Sequence, residues 1–198
     1  SGFANDVKVE GRPPVAGQPP VRAEQRSADA SYFRAAGIPL LRGRMFTMGD
    51  ETSNAGLRVL QQRDGVMGAG SSVAIINKAY ADRVFPNEDP VGKQVAWTGQ
   101  IVRELYPSME TELMTIIGVV GNTRDGARLD AEPIPALYSP VDHVPSGGGF
   151  VIRAGSNVSA LAASATRIVR RIAPTALIED VVTIQEYKDR SVSNQRLN

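Results

Sequence analysis

The chain has no cysteine, one histidine and one tryptophan among 198 residues. The missing cysteines remove disulfides, thiolate nucleophiles and cysteine metal sites, and fit either a reducing compartment or an exported domain that needs no covalent staple. With His143 as the sole imidazole, a transition-metal centre would lean on carboxylates, and these show no ligand spacing. Excess charge is also lacking. Lys and Arg number 22 against 21 Asp and Glu, a net charge of +1, so no long-range field favours nucleic acid or a strongly acidic substrate. Aromatic residues make up 6% and lie dispersed without basic clustering between them, which leaves no base-stacking platform. Long apolar runs are absent as well. The most apolar window, residues 114–121, contains Thr115 and two glycines and falls short of the roughly 20 apolar residues that a spanning helix needs.

What remains is a hydrophobic content of 42%, enough for the core of one large or two small domains. The chain is organised around residues 72–93. Val73, Ala74, Ile75 and Ile76 read as a buried strand, and Asn77 follows as a helix N-cap. Ala81, Val84 and Phe85 recur at helical spacing, with Lys78, Asp82 and Arg83 mostly on the other side. Pro86 stops the helix, and Pro90 and Gly92 supply a turn before a new extended segment at residues 93–97.

Upstream, residues 7–10 and 21–26 alternate as half-buried strands around a Pro/Gly-rich connection, so they read as a hairpin with a long loop. Asp29 and Ser31 can cap a short helix that ends at Gly37 before Pro39. In the Gly43-Arg44-Met45-Phe46 stretch Gly43 allows a bend, and Arg42 and Arg44 read as solvated. Residues 50–71 mix charges with glycines and read as a loop with a helical turn. Residues 97–112 read as strand, connection and strand, and residues 113–120 as a buried strand. The glycines of the following Gly-Asn-Thr-Arg-Asp-Gly turn lack the Lys-Ser/Thr ending of a phosphate loop. Residues 135–140 form a short strand whose prolines suit an edge or a domain crossing. A strand at 150–153, an amphipathic helix at 159–172 and a strand at 177–182 make a βαβ unit. Thr183 and Glu186 match a capping box for a final helix from Ile184 onward.

The wording VAIINKAYADRVFPNEDPVGKQV, preceded by YFRAAGIPLLRGRMF and followed by MTIIGVVGNTRD and PALYSP, resembles the MacB-like periplasmic core domain of FtsX/MacB-type ABC transporter permeases. The likeness runs from about Val7 to Val192 and departs from the usual pattern at residues 52–71 and 100–112, where the connections are longer. It implies an α+β fold: a porter-like α+β subdomain built from residues 1–37 and 147–198, with a smaller mixed α/β subdomain, residues 38–146, inserted as the distal part. It also implies a location at the cell membrane on the extracytoplasmic, periplasmic side. As partners it implies a cytoplasmic ABC ATPase subunit or domain reached through flanking membrane helices, with room for a homodimer and a periplasmic partner protein. The chain starts at Ser1 without Met and reads as a fragment whose flanks would be those helices, its two ends leaving the same pole of the fold.

No catalytic, cofactor or metal residue stands out. His143 beside Asp142 lies between prolines in a loop, and adjacent residues seldom converge on one reacting atom. The acid pairs Asp50 and Glu51, Glu88 and Asp89, Glu110 and Glu112, and Glu179 and Asp180 read as helix-start, turn or surface groups. No Gly-x-Ser-x-Gly elbow is present. Contact with a partner falls to the loops at 50–71 and 99–108, in which Leu105, Tyr106 and Met109 are either tip residues or core. The functional expectation is a non-enzymatic extracytoplasmic permease domain that couples ATP-driven motion of membrane helices to substrate export or partner engagement. The alternative is a free-standing module that binds a small ligand or peptide.

Overall fold

The computed structural model describes residues 4–13, 17, 19–50, 72–105, 107, 110, 112–123, 132–141, 148–155, 157–186 and 189. Among these residues seven strands are present: β1 (Ala4–Val9), β2 (Val21–Ala28), β3 (Leu40–Gly43), β4 (Ser72–Asn77), β5 (Gln94–Thr98), β6 (Met114–Val120) and β7 (Ala136–Pro140). Helices α1 (Tyr32–Ala36), α2 (Lys78–Val84), α3 (Gln100–Leu105) and α4 (Val158–Ile172) accompany them. The fold is α+β.

All seven strands share one sheet in the order β3-β6-β4-β7-β2-β1-β5, and β5 pairs again with β6. The halves of β6 are used separately: Met114 and Thr115 face β5, whereas Gly118, Val119 and Val120 face β3. Six strands therefore form a closed circuit, β6-β4-β7-β2-β1-β5, and β3 hangs outside it as an edge. The β2–β7 and β4–β6 pairs are parallel and the others antiparallel.

Alternation along the strands separates two apolar clusters, because successive side chains point to opposite faces. Ala74 and Ile76 of β4 and Leu137 of β7 enter the first, with Val95, Trp97, Ile116, Tyr80, Phe85 and Val102. Ile75 of β4 and Ala136 and Tyr138 of β7 enter the second, with Phe33, Ile38 and Phe46. Phe33 anchors that second cluster through edge-on contact with Tyr138, ring centroids 5.1 Å apart. A strand buried on both faces explains why residues 73–76 are continuously apolar.

Local rules set the helix ends. Asp29 Oδ1 accepts from the amides of Ser31 and Tyr32 at 2.9 and 2.6 Å and so starts α1. Gly37, at φ 72°, ends it with its amide on Arg34 and Phe33 carbonyls. Asn77 caps α2, and Phe85 leaves the helical region just before Pro86. The buried side chain of α2 is Tyr80, with Ala81 and Val84 partly buried beside it.

Three expectations change. The 97–112 stretch is not strand, connection and strand: after β5, Gly99 turns at φ 111° and α3 begins. Val102 is buried in the first cluster, and Gln100 donates to Glu104 one turn on at 2.8 Å, which suits a helix. Strand β7 is not at an edge but lies between β4 and β2; its closing Pro140 sits at the strand end, where no ladder donor is demanded. Residues 150–153 and 177–182 form no hydrogen-bonded strand, so the expected βαβ unit is absent among the described residues. The compact units are Ser1–Thr123 with Pro133–Val151, and Arg124–Glu132 with Ile152–Asn198. In the first unit the β1–β2 hairpin pairs with β5 and β7.

The second unit, taken by itself, holds α4 and the segment after it. Asn157 caps α4 by accepting from the Ala160 amide at 3.2 Å. The capping box forms in both directions: Thr183 N–H donates to Glu186 Oε2 at 2.7 Å, and Glu186 N–H to Thr183 Oγ1 at 3.0 Å.

Candidate interaction surface

One groove, about 500 Å³ in volume, lies where β3 and the C-terminal end of α2 approach each other. Leu41, Ala81, Phe85, Pro86 and Val119 supply its apolar lining, and Arg42, Lys78, Asp82, Glu88 and Asp89 its charges. Its strand side is the edge β3, exposed at all four positions, with Leu40 and Leu41 at 39% and 47%. Edge strands expose unpaired backbone groups, and natural proteins keep them short or charged. Here the strand has four residues and carries Arg42.

The strand is held close to β6 by two glycines. A Cβ on Gly43 would stand 2.1 Å from the Ile117 carbonyl oxygen, and one on Gly118 would stand 2.4 Å from the Arg44 carbonyl oxygen. Gly43 also has φ 72°, so both close approach and the left-handed backbone demand glycine. Past the bend, Arg44 clasps Asp50 through both terminal nitrogens at 2.7 and 3.0 Å. Thr47 donates to the same carboxylate from its amide at 2.8 Å and its hydroxyl at 2.7 Å. The Arg44 hydrogen bonds, reinforced by those from Thr47, hold the Asp50 carboxyl at about 2. Arg44, half exposed as expected of a solvated side chain, also clamps this turn.

The helix side of the groove is braced by Arg12, from the connection after β1. Its guanidinium donates to the Val84 carbonyl at 2.8 Å and to Glu88 Oε1 at 2.7 Å, and lies 4.8 Å from the centre of the Phe85 ring. Glu88 also meets Lys93 at 3.4 Å. Lys78 pairs with Asp82 one helical turn on, and Arg42 stands 3.9 Å from Asp89. Asp89 Oδ1 accepts from the Val91 amide at 3.0 Å, making the turn that leads to Gly92. The charges of the groove are thus spent on one another.

Asp50, Glu88, Asp89 and Glu110 each meet a basic side chain, and Glu110 accepts from Thr98 Oγ1 at 2.8 Å and from Arg103 at 3.3 Å. The Thr98 hydrogen bond, with help from Arg103, pulls the Glu110 carboxyl below its ordinary value. His143, Asp142, Glu51, Tyr106 and Met109, and the side chain of Leu105, lie outside the described residues. Among the described residues no group of three metal-ligating side chains converges. Sequence reasoning missed Arg12, whose partners lie more than seventy positions away, and Tyr80, whose place between Asn77 and Ala81 on the buried face was the available signal.

The model of the MacB-like periplasmic core domain matches residues 6–184. The chain belongs to the MacB-like periplasmic core domain family. Among solved structures it is similar to the periplasmic region of MacB from Actinobacillus actinomycetemcomitans, at 18% identity and TM-score 0.51, over 87% of this chain and 64% of that one. It is also similar to the extracellular domain of the noncanonic ABC-type transporter YknZ from Gram-positive bacteria, at 17% identity and TM-score 0.47, over 87% and 76% of the two chains. The chain thus spans less than two thirds of the MacB periplasmic region. Comparison with curated proteins gave no match. This periplasmic core domain shares its α+β fold with that MacB region, and among its described residues no helix is long and apolar enough to cross a membrane.

Proposed function

We propose that this periplasmic core domain is the extracytoplasmic part of an ABC transporter permease, and that it passes ATP-driven motion of flanking membrane helices to an exported substrate or a partner outside the membrane. The observation that carries this reading is the family match over residues 6–184. The polar groups around the groove are paired with each other, which supports a mechanical role for this surface. A cytoplasmic ABC ATPase subunit or domain is the implied partner, and a homodimer and a periplasmic protein are further ones.

The test uses the intact membrane protein. An ATPase should co-purify with it, and because this domain has no cysteine, a single cysteine introduced at exposed Leu41 can be labelled selectively within it. Labelling should change rate when ATP is added to the reconstituted transporter. No associated ATPase, together with an ATP-indifferent labelling rate, would reject the reading. The second reading, a free-standing module for a small ligand or peptide, is favoured by the groove volume, which lies in the range of about 300–1,000 Å³ usual for ligand sites. A hydrophobic segment on each side of the domain in the full-length protein decides against it.

A further inference from the structure

The groove wall made by residues 85–88 is held by one side chain that comes from elsewhere in the chain. Arg12 takes the Val84 carbonyl, one of the acceptors left free at a helix C-terminus, and Glu88 beyond the Pro86 turn, while its planar group covers the Phe85 ring. Phe85 and Glu88 are themselves groove-lining residues. Beneath this bridge lies Tyr80, 0% exposed, its ring centre 6.4 Å from that of Phe85. Its hydroxyl is buried with no hydrogen-bond partner. Burial pushes the Tyr80 phenol up, with the charge of Arg12 pulling the other way.

Two opposed tendencies therefore meet at one place. Three contacts of Arg12, the pairing of Glu88 with Lys93 and the burial of Phe85 in the first apolar cluster close the wall, whereas a buried hydroxyl without a partner gains by reaching water. The far side of the turn is fixed independently, since Gly92 donates to Ile116 and Ile116 to Lys93, both at 2.8 Å. Movement can then be confined to the stretch between the end of α2 and Gly92. We propose that Arg12 is a latch: while it holds Val84, Phe85 and Glu88 the 85–88 wall is shut, and its release swings that wall outward, opens the groove and wets the Tyr80 hydroxyl. The arrangement is a two-state element biased from both sides. It stands whether or not the intact protein is a transporter.

Native-state amide exchange on the 198-residue chain tests it. The reporters are the amides of Phe85, bonded to Ala81 at 2.8 Å, and Glu88, bonded to Phe85 at 3.3 Å; the Ile116 amide is the reference. Arg12→Met keeps the aliphatic stem but no donor, and should speed exchange at both reporters by roughly three- to tenfold while Ile116 is unchanged. Arg12→Lys cannot fork to both oxygens and should fall between. Tyr80→Phe removes the group that gains from opening, so the same amides should slow by about threefold or more. An equal acceleration of Ile116 in Arg12→Met would mean general loosening and overturn the latch. Unchanged reporters in Arg12→Met, or reporters that fail to slow in Tyr80→Phe, would overturn it too.

Discussion

Asn77 and Ala136, 59 positions apart, are joined by a 3.0 Å hydrogen bond in which the Ala136 amide donates to the Asn77 side-chain oxygen. The same oxygen accepts from the Tyr80 amide at 3.0 Å, and the Asn77 amide group donates to the Ile134 carbonyl at 2.8 Å. One fully buried side chain thus ends β4, starts α2 and sets where β7 begins. Replacement by Ala loses a cap and strands the Ala136 amide and the Ile134 carbonyl, so a destabilisation of about 2–4 kcal/mol is expected in urea titration. Asn77→Asp keeps the acceptor but turns a carboxylate toward the Ile134 carbonyl. Its penalty should grow as pH rises above about 3.9, because burial favours the neutral acid. A variant as stable as the parent at neutral pH would refute this account.

The Asp50 clamp gives a pH dependence of opposite sign. Its folded value is depressed to about 2, so the stability it contributes is complete above the ordinary carboxylate value near 3.9 and lost as pH falls through about 2. Asp50 is 11% exposed and Arg44 50%, so part of the pair is screened. Asp50→Asn should cost about 1–2 kcal/mol at neutral pH. The gap between parent and variant in urea midpoint should close between about pH 4 and pH 2, and a gap that stays constant there would show that the carboxylate charge is not what holds the turn.

Much of this fold is written in local signals, which is why residues 73–76, Asn77, Pro86, Gly37 and the Thr183 and Glu186 box can be read from the chain. Each depends on neighbours within four positions. What escaped reading depends on distance. The prolines around β7 suit an edge or a domain crossing, but a strand end tolerates them and Asn77 supplies a partner to the central β7. In residues 100–105 the adjacent Ile101 and Val102 fall on different sides, 58% exposed and buried, so their spacing sets no period. The groove was wholly illegible, since Arg12, β3 and the end of α2 meet only after the sheet has closed.

Tight backbone approach predicts two intolerant glycines beside one tolerant of bulk. Ala at Gly43 or Gly118 must push β3 from β6, because the obstructing atoms are backbone oxygens. Each should cost at least about 2 kcal/mol, and Gly43→Ala adds left-handed strain. Gly11 shares a positive φ of 75° but has nothing within 4 Å of the place a methyl group would take; Gly11→Ala should cost only the backbone term, about 1 kcal/mol. Equal losses at Gly11 and Gly43 in urea titration would remove the steric argument.

The capping box at Thr183 and Glu186 should be separable from the rest of the molecule. Both residues offer one side-chain acceptor to the other's amide, at 3.0 and 2.7 Å, so removing either side chain frees one amide and leaves the reciprocal bond without its companion. Exposure matters here. Ile184 is 62% exposed, and little apolar burial can compensate when the cap is lost. Thr183→Ala should therefore speed exchange of the Glu186 amide by about fivefold, the equivalent of about 1 kcal/mol, and leave the Ile116 amide in β6 untouched. Glu186→Gln retains an acceptor and should cost less than Glu186→Ala. In a double-mutant cycle the two alanine changes should be less costly together than their sum, because the second bond is already weakened when the first is lost. Strict additivity would mean that the two bonds act independently and that the turn is held by something other than the box.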